Sequence, residues 1–363
     1  MTYSKEWEKI VGRFGRWIDF ENDYKTMDHW YMESVWYAFK QIFDKNLVYR
    51  GSRIMPFSTA CNTVLSNFEA GSNYKDAKDP ALFITFPLVD EPTTSLIAWT
   101  TTPWTLPSNL ACAVNPDFVY LKIHDQEKDK IYILAEPRLK DVLKQTNIKK
   151  HKVLEKIKGK DLVGKKYVPL FDFFKEWEQK CFKVLEGKFV TKDVGTGVVH
   201  CAPGFGEDDY AVCLANGLVD PGNVVMPMDD DGKFLESVPP YHGMGFKEAD
   251  PQIIKDLKEK GRLVALGSIV HSYPFCWRSQ TPLMYRAVST WFIKVTDIKQ
   301  ELLKNNEEPT WVPAFVQEKR FKNWLTDARD WCFSRNRYWG NPIPIWASED
   351  MEEIVCVGSI KEL

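Results

Sequence analysis

Residues 99–109 read Trp-Thr-Thr-Thr-Pro-Trp-Thr-Leu-Pro-Ser-Asn, and residues 195–210 read Gly-Thr-Gly-Val-Val-His-Cys-Ala-Pro-Gly-Phe-Gly-Glu-Asp-Asp-Tyr. The first run offers hydroxyl donors and acceptors at Thr100, Thr101, Thr102 and Thr105. Threonines alone belong in strands, where β-branched residues pack well. A run of three closed by Pro103 is less ordinary. The proline forces Thr102 to be extended and removes a ladder donor, so a strand that stops there presents hydroxyls to a cleft. In the second run Gly195 and Gly197 permit close backbone approach, Val198 and Val199 read as a short strand, and His200 stands at its end. A lone histidine is more often structural than functional. Here the tight Ala202-Pro203-Gly204 exit and the carboxylates Glu207, Asp208 and Asp209 shift that balance toward function. Helix-dipole complementarity accounts for one or two of those carboxylates, but not for their following the histidine loop. Composition and spacing describe a polar cleft with donors on one wall and a cation-binding carboxylate on the other. A hydrolase, an amino-group binder and a binding-only module fit that description equally.

Other chemistries lack their signatures. No Ser or Cys sits in a nucleophile elbow, and Cys201 lacks a supporting motif. There is no Walker loop and no dinucleotide fingerprint. Cys61 and Cys276 have Ser58 and Ser279 where Cys-x-x-Cys pairing would need a second thiol. Two thiolates do not fill a tetrahedral zinc shell, so no metal site is expected.

The elements that must position these residues are partly legible. Met32, Val35, Trp36, Phe39, Ile42 and Phe43 form an apolar stripe at helical spacing, with Thr26 or Asp28 to cap it and Asn46 suited to a left-handed exit. Arg50-Gly51 and Pro56 then punctuate the chain. Short β-prone runs follow at 82–86, 95–99, 111–114, 118–123 and 131–134. Two helices are expected among them, from Glu207 to about Asn216 and from Lys247 to Lys260, the latter ended by Gly261. The fold class expected is α/β, with a barrel-like or mixed sheet. The layout expected is an N-terminal helical flank at 1–79, a β-rich domain at 80–270, and a Trp- and Arg-rich flank at 271–363. The flanks of an inserted domain are expected to pack on each other.

Bulk properties bound the rest. The chain has 363 residues, enough for two domains or more, and its 44% hydrophobic content fits a folded protein. There is no apolar run long enough to span a membrane, and the charged N-terminus lacks a signal-peptide core. Eight scattered cysteines suggest a reducing compartment. A net charge of −2 does not advertise nucleic-acid binding. The eight lysines of residues 149–166 read as a solvated surface in preference to a phosphate-contacting patch.

At the two runs quoted first, the chain resembles the isoleucyl-tRNA synthetase family, specifically its connective peptide with the editing domain. Residues 99–109 look like the threonine-rich peptide, and 200–209 like the second editing motif. Flanking matches are residues 12–20, 55–62, 271–278 and 327–340, so the resemblance covers nearly the whole chain and looks most like the eukaryotic cytosolic branch. Relatives that edit for leucine and valine carry an arginine where this chain has Thr102. The resemblance implies a β-barrel-like editing domain inserted between two stem segments of a class I synthetase core, acting by hydrolysis of the ester of valyl-tRNA(Ile). It implies that Thr100, Thr101 and Thr102 line the site around the terminal ribose and the hydrolytic water. Trp104 walls the pocket, and Asn109 supports it. His200 admits valine and refuses isoleucine, and Asp209 holds the α-ammonium. Gly197 is expected among the substrate-binding positions. The implied partners are the tRNA(Ile) 3′ end carrying valine and the remainder of the synthetase, in a cytoplasmic monomer with no membrane attachment. Neither His-x-Gly-His nor Lys-Met-Ser-Lys-Ser is present, nor an anticodon-reading region. The expectation is therefore an excised fragment without aminoacylation and without a cofactor, ATP and magnesium belonging to the full-length enzyme. The zinc positions of some relatives are half lost at Ser58 and Ser279. A module that binds the tRNA 3′ end but is inactive in isolation is the alternative.

Overall fold

A computed structural model describes residues 2–335 and 340–363. Met1, and residues 336–339 of the matched run at 327–340, lie outside the described residues. The chain forms two compact units, one from Met1–Arg50 together with Thr290–Leu363, the other from Gly51–Ser289. No helix among the described residues is long and apolar enough to cross a membrane.

In the first unit the two sequence-distant flanks share a core. The apolar stripe forms the helix His29–Asp44, which buries Trp36 and Phe39, with Asp28 at its N-cap and Asn46 in a left-handed conformation at φ 57°. Phe39 stacks on Phe333 at 4.9 Å, and the Trp36 indole N–H donates to the Pro342 carbonyl at 2.9 Å. Aromatic rings supply much apolar area per residue, and buried indoles find an acceptor.

The second unit is β-rich. Its strands include β1 (Val48–Ser58, from Gly51 on), β2 (Thr63–Val64), β3 (Tyr74–Pro87), β4 (Thr94–Thr100), β5 (Ala111–Val114), β6 (Val119–Asp125), β7 (Lys130–Ala135), β8 (His151–Lys158), β9 (Lys183–Glu186), β10 (Val198–Cys201) and β11 (Leu263–Pro274). Six of them make one sheet in the order β11-β3-β4-β7-β6-β8, and three make another in the order β10-β5-β9. The larger sheet mixes directions, since β4 and β7 run parallel while its other neighbours run antiparallel. Alternation along β3 sends Leu82, Ile84 and Phe86 into the main core and Phe83 to the opposite face. That second face is closed by the helix Leu139–Thr146 through Val142. Burial on both faces explains why β3 and β4 read as apolar runs. The helices Glu207–Ala215 and Asp250–Glu259 bring Cys213, Ile253 and Leu257 to the main core, and Gly261 takes φ 67° after the second of them.

Two local expectations are corrected. Arg50-Gly51 and Pro56 do not interrupt the chain but lie within β1. The Pro56 carbonyl accepts from Leu65 N–H at 2.8 Å, which the missing proline donor does not prevent. The lysine-rich stretch is solvated as expected, yet residues 151–158 form the edge strand β8, mostly exposed. Lysines on an edge strand discourage further strand pairing.

Candidate functional site

The cleft lies within the 51–289 unit, with a volume of about 520 Å³. Thr100, Thr101, Thr102, Trp104, His200 and Asp209 all line it. Strand β4 ends at Thr100, and Pro103 opens a short 3₁₀ turn over Pro103–Ser108. Proline suits that first position because no intrahelical donor is needed there. The turn folds the hydroxyls back on one another. Thr102 N–H donates to Thr100 Oγ1 at 3.1 Å, the Thr100 and Thr102 hydroxyls lie 3.2 Å apart, and the Thr105 hydroxyl donates to the Thr102 carbonyl at 2.9 Å.

His200 comes from β10, where it pairs with Cys112 of β5. Its ring is held on both sides. The Asn109 amide donates to Nδ1 at 3.0 Å, and Nε2 lies 2.8 Å from Thr105 Oγ1. The same amide nitrogen donates to the Ala111 carbonyl at 2.8 Å, and Tyr167 OH donates to Asn109 Oδ1 at 2.7 Å. A carbonyl only accepts, so the Ala111 contact fixes which end of the Asn109 amide is nitrogen. The Nδ1 position is then an acceptor, and the proton sits on Nε2, directed at Thr105. Burial pushes the His200 pKa down to about 4. The ring is therefore neutral and immobile at ordinary pH. It serves as a wall and a fixed donor rather than as a titrating base.

Asp209 stands in the first turn of the helix Glu207–Ala215 and accepts from Ala202 N–H at 3.0 Å. Burial raises its pKa to about 7; the Ala202 hydrogen bond opposes the rise, and the Asp208 charge adds to it. Gly206 makes this approach possible, since a Cβ there would stand 2.5 Å from Asp209 Oδ2. A group poised to ionise on meeting a cation suits recognition of an ammonium.

Two expected residues lie elsewhere. Asn109 is buried behind His200 and acts through it. Gly197 packs against Ala135, where a Cβ would stand 2.3 Å from the alanine Cβ, and its carbonyl accepts from Tyr120 OH at 2.7 Å. Its close approach is thus to the protein's own strand β7. Trp104 is buried, with edge contacts to Phe205 and Phe246 at 5.1 Å each. Sequence reasoning missed Tyr167, which anchors the histidine through Asn109, and Arg53, Tyr273 and Tyr285, which also line the cleft. Nothing local marks these four; they come from segments distant in sequence.

The amide assignment makes one prediction. Asn109→Asp places an acceptor against His200 Nδ1 and the Ala111 carbonyl. The histidine pKa is expected to rise from about 4 by about 1–3 pH units as the ring gains a proton toward the new carboxylate. An NMR titration of the His200 ring nitrogens checks this, and an unmoved titration counts against the assigned tautomer.

Comparisons with known proteins find sequence relatives along the whole chain. The family model described as tRNA synthetases class I (I, L, M and V) matches residues 1–363. An isoleucine–tRNA ligase of Tetrahymena thermophila is 57% identical over 100% of this chain and 34% of its own length. The cytoplasmic isoleucine–tRNA ligase of Mus musculus is 56% identical over 100% of this chain and 29% of its own length. Among solved structures, the P. knowlesi cytosolic leucyl-tRNA synthetase editing domain aligns with a TM-score of 0.40 and 14% identity, covering 56% of this chain and 99% of that one. The chain spans about a third of the length of the curated relatives it matches.

Proposed function

The chain belongs to the class I tRNA synthetases (I, L, M and V), and from that premise we propose that it carries the editing site of a cytoplasmic isoleucyl-tRNA synthetase. In this reading the 51–289 unit is a barrel-like editing domain inserted between stem segments of the synthetase core. It hydrolyses the ester of valine misattached to tRNA(Ile), working with the rest of the synthetase as a monomer. The supporting observation is one cleft that gathers the hydroxyl run of Thr100–Thr102, the neutral His200 and the half-buried Asp209.

Each residue then has a distinct task. Asp209 pairs with the α-ammonium and orients the ester. The threonine hydroxyls hold the terminal ribose and a water, whose oxygen attacks the ester carbonyl; the carbon–oxygen bond to the ribose breaks, and the ribose hydroxyl leaves with a proton. Positioning and hydrogen-bond donation supply the acceleration without a covalent intermediate. The biological need is a second sieve. One methylene gives only about 1–3 kcal/mol of discrimination, a magnitude established for this very family of enzymes rather than obtained from this structure.

Deacylation of valyl-tRNA(Ile) and isoleucyl-tRNA(Ile) by the purified chain tests the proposal. The expected result is release of valine with the isoleucyl ester left intact. Release of neither by a folded chain that still binds the tRNA 3′ end would leave a binding module in its place.

A further inference from the structure

Two turns of the same unit, neither of whose cysteines lines the cleft, face each other. One carries Ser58 and Cys61, the other Cys276, Ser279 and Thr281. Cys61 Sγ and Cys276 Sγ lie 3.9 Å apart although the residues are 215 positions apart in sequence. Cys61 N–H donates to Ser58 Oγ at 3.2 Å, and Ser279 N–H reaches Cys276 Sγ at 3.5 Å. Leu65, Ala70 and Leu283 bury the pair from one side. Among the described residues no group of three His, Cys, Asp or Glu side chains is placed to hold a metal. The two serines stand where further thiols would be needed, so what remains is a facing pair of sulfurs.

We infer that Cys61 and Cys276 are a peroxide-responsive dithiol that closes into a reversible disulfide at the base of the 51–289 unit. The sulfurs need to close from 3.9 Å to about 2.05 Å, the length of a disulfide bond. Cys276 is the attacking group. Ser279 N–H points at its sulfur at 3.5 Å, a backbone donor that favours charge on that sulfur. Its partner Cys61 is half-buried and is the more exposed residue of the two.

The chemistry balances with a hydroperoxide as oxidant. The Cys276 thiolate attacks one peroxide oxygen, the O–O bond breaks, and a sulfenic acid forms with release of hydroxide. Cys61 sulfur then attacks the sulfenic sulfur and loses its proton, and the second hydroxide leaves. Two thiols lose two electrons, and hydrogen peroxide becomes two waters. The bond falls just beyond the Tyr74↔Pro274 end of the β3–β11 ladder, so it staples together the two ends of the unit.

The test is a thiol map of the purified chain before and after hydrogen peroxide, with free thiols alkylated and peptides read by mass spectrometry. The expected result is a Cys61–Cys276 linked peptide as the dominant disulfide, reversed by dithiothreitol and absent from C61S and C276A. The oxidised wild-type chain is also expected to unfold at a higher temperature than the reduced one, with no such shift in C61S. Either variant failing to fold leaves the wild-type map to decide. Both thiols still alkylated after peroxide, Cys276 carried to sulfinic acid with Cys61 free, or an equimolar metal that blocks oxidation would each overturn the inference.

Discussion

Asp209→Asn is expected to lower kcat/KM for valyl-tRNA(Ile) by about two orders of magnitude, because truncating a buried charged partner costs about 2–5 kcal/mol, or tenfold per about 1.4 kcal/mol. Asparagine keeps an acceptor for Ala202 N–H and loses only the charge. Folding is expected to survive. The folded-state carboxyl keeps its proton up to about 7, whereas its ordinary value is 3.8. Between those values the unfolded chain has lost the proton and the folded chain has not, so this group's contribution to stability falls as pH rises through that window. Asparagine removes that loss, so the variant is expected to match or exceed the wild type in thermal stability at neutral pH. For the wild type, kcat/KM is expected to rise with pH up to about 7 as Asp209 ionises, with that limb missing from the variant. A variant that edits normally removes Asp209 from the site.

His200→Ala is the second large effect, and it acts on selectivity. A pocket that refuses one extra methylene needs a wall that does not yield. The ring is buried and tied at both nitrogens, to Asn109 and Thr105. Its removal is expected to move the isoleucyl-to-valyl ratio of kcat/KM toward one by about tenfold to a few hundredfold, the scale of about 1–3 kcal/mol for one methylene. Asn109 and Thr105 each lose one buried hydrogen bond while keeping those to the Ala111 and Thr102 carbonyls, at about 0.5–1.5 kcal/mol of stability each. Parallel deacylation of both esters, with thermal unfolding as the control, separates the two effects. A ratio that stays put assigns the sieve elsewhere in the cleft. His200 also carries the opposite pH signature from Asp209. It stays neutral in the folded chain down to about 4 against an ordinary 6.5, so its contribution is lost as pH falls through that window.

Local chemistry made much of the architecture readable. The strand at 111–114 and the two core helices beginning near Glu207 and Asp250 follow from periodicity and from stops such as Gly261. The hydroxyl run and the histidine loop announce themselves because proline and glycine control where strands end. What stayed hidden depends on pairing between distant segments. The helix Leu139–Thr146 is only two turns long, too short for its spacing to stand out. The strand β8 draws its conformation from β6 rather than from its own lysines. Tyr167 reads as an ordinary aromatic until the fold sets its hydroxyl on Asn109.

The ladder between β3 and β11 has a mechanical consequence. It is antiparallel, and Tyr74 faces Pro274 at one end, so about two hundred residues depart and return within one strand spacing of about 5 Å. For the surrounding chain the whole insertion has the closure entropy of a tight hairpin rather than that of a long loop. Tension applied through those two ends loads the rungs one after another, as in a zipper, rather than all together in shear. The unit is therefore built to peel from its base under small forces, and because Tyr273 on the second rung lines the cleft, the first rungs to open disturb one wall of the cleft while the Thr100–Thr102 and His200 walls, deeper along the chain, feel the load later.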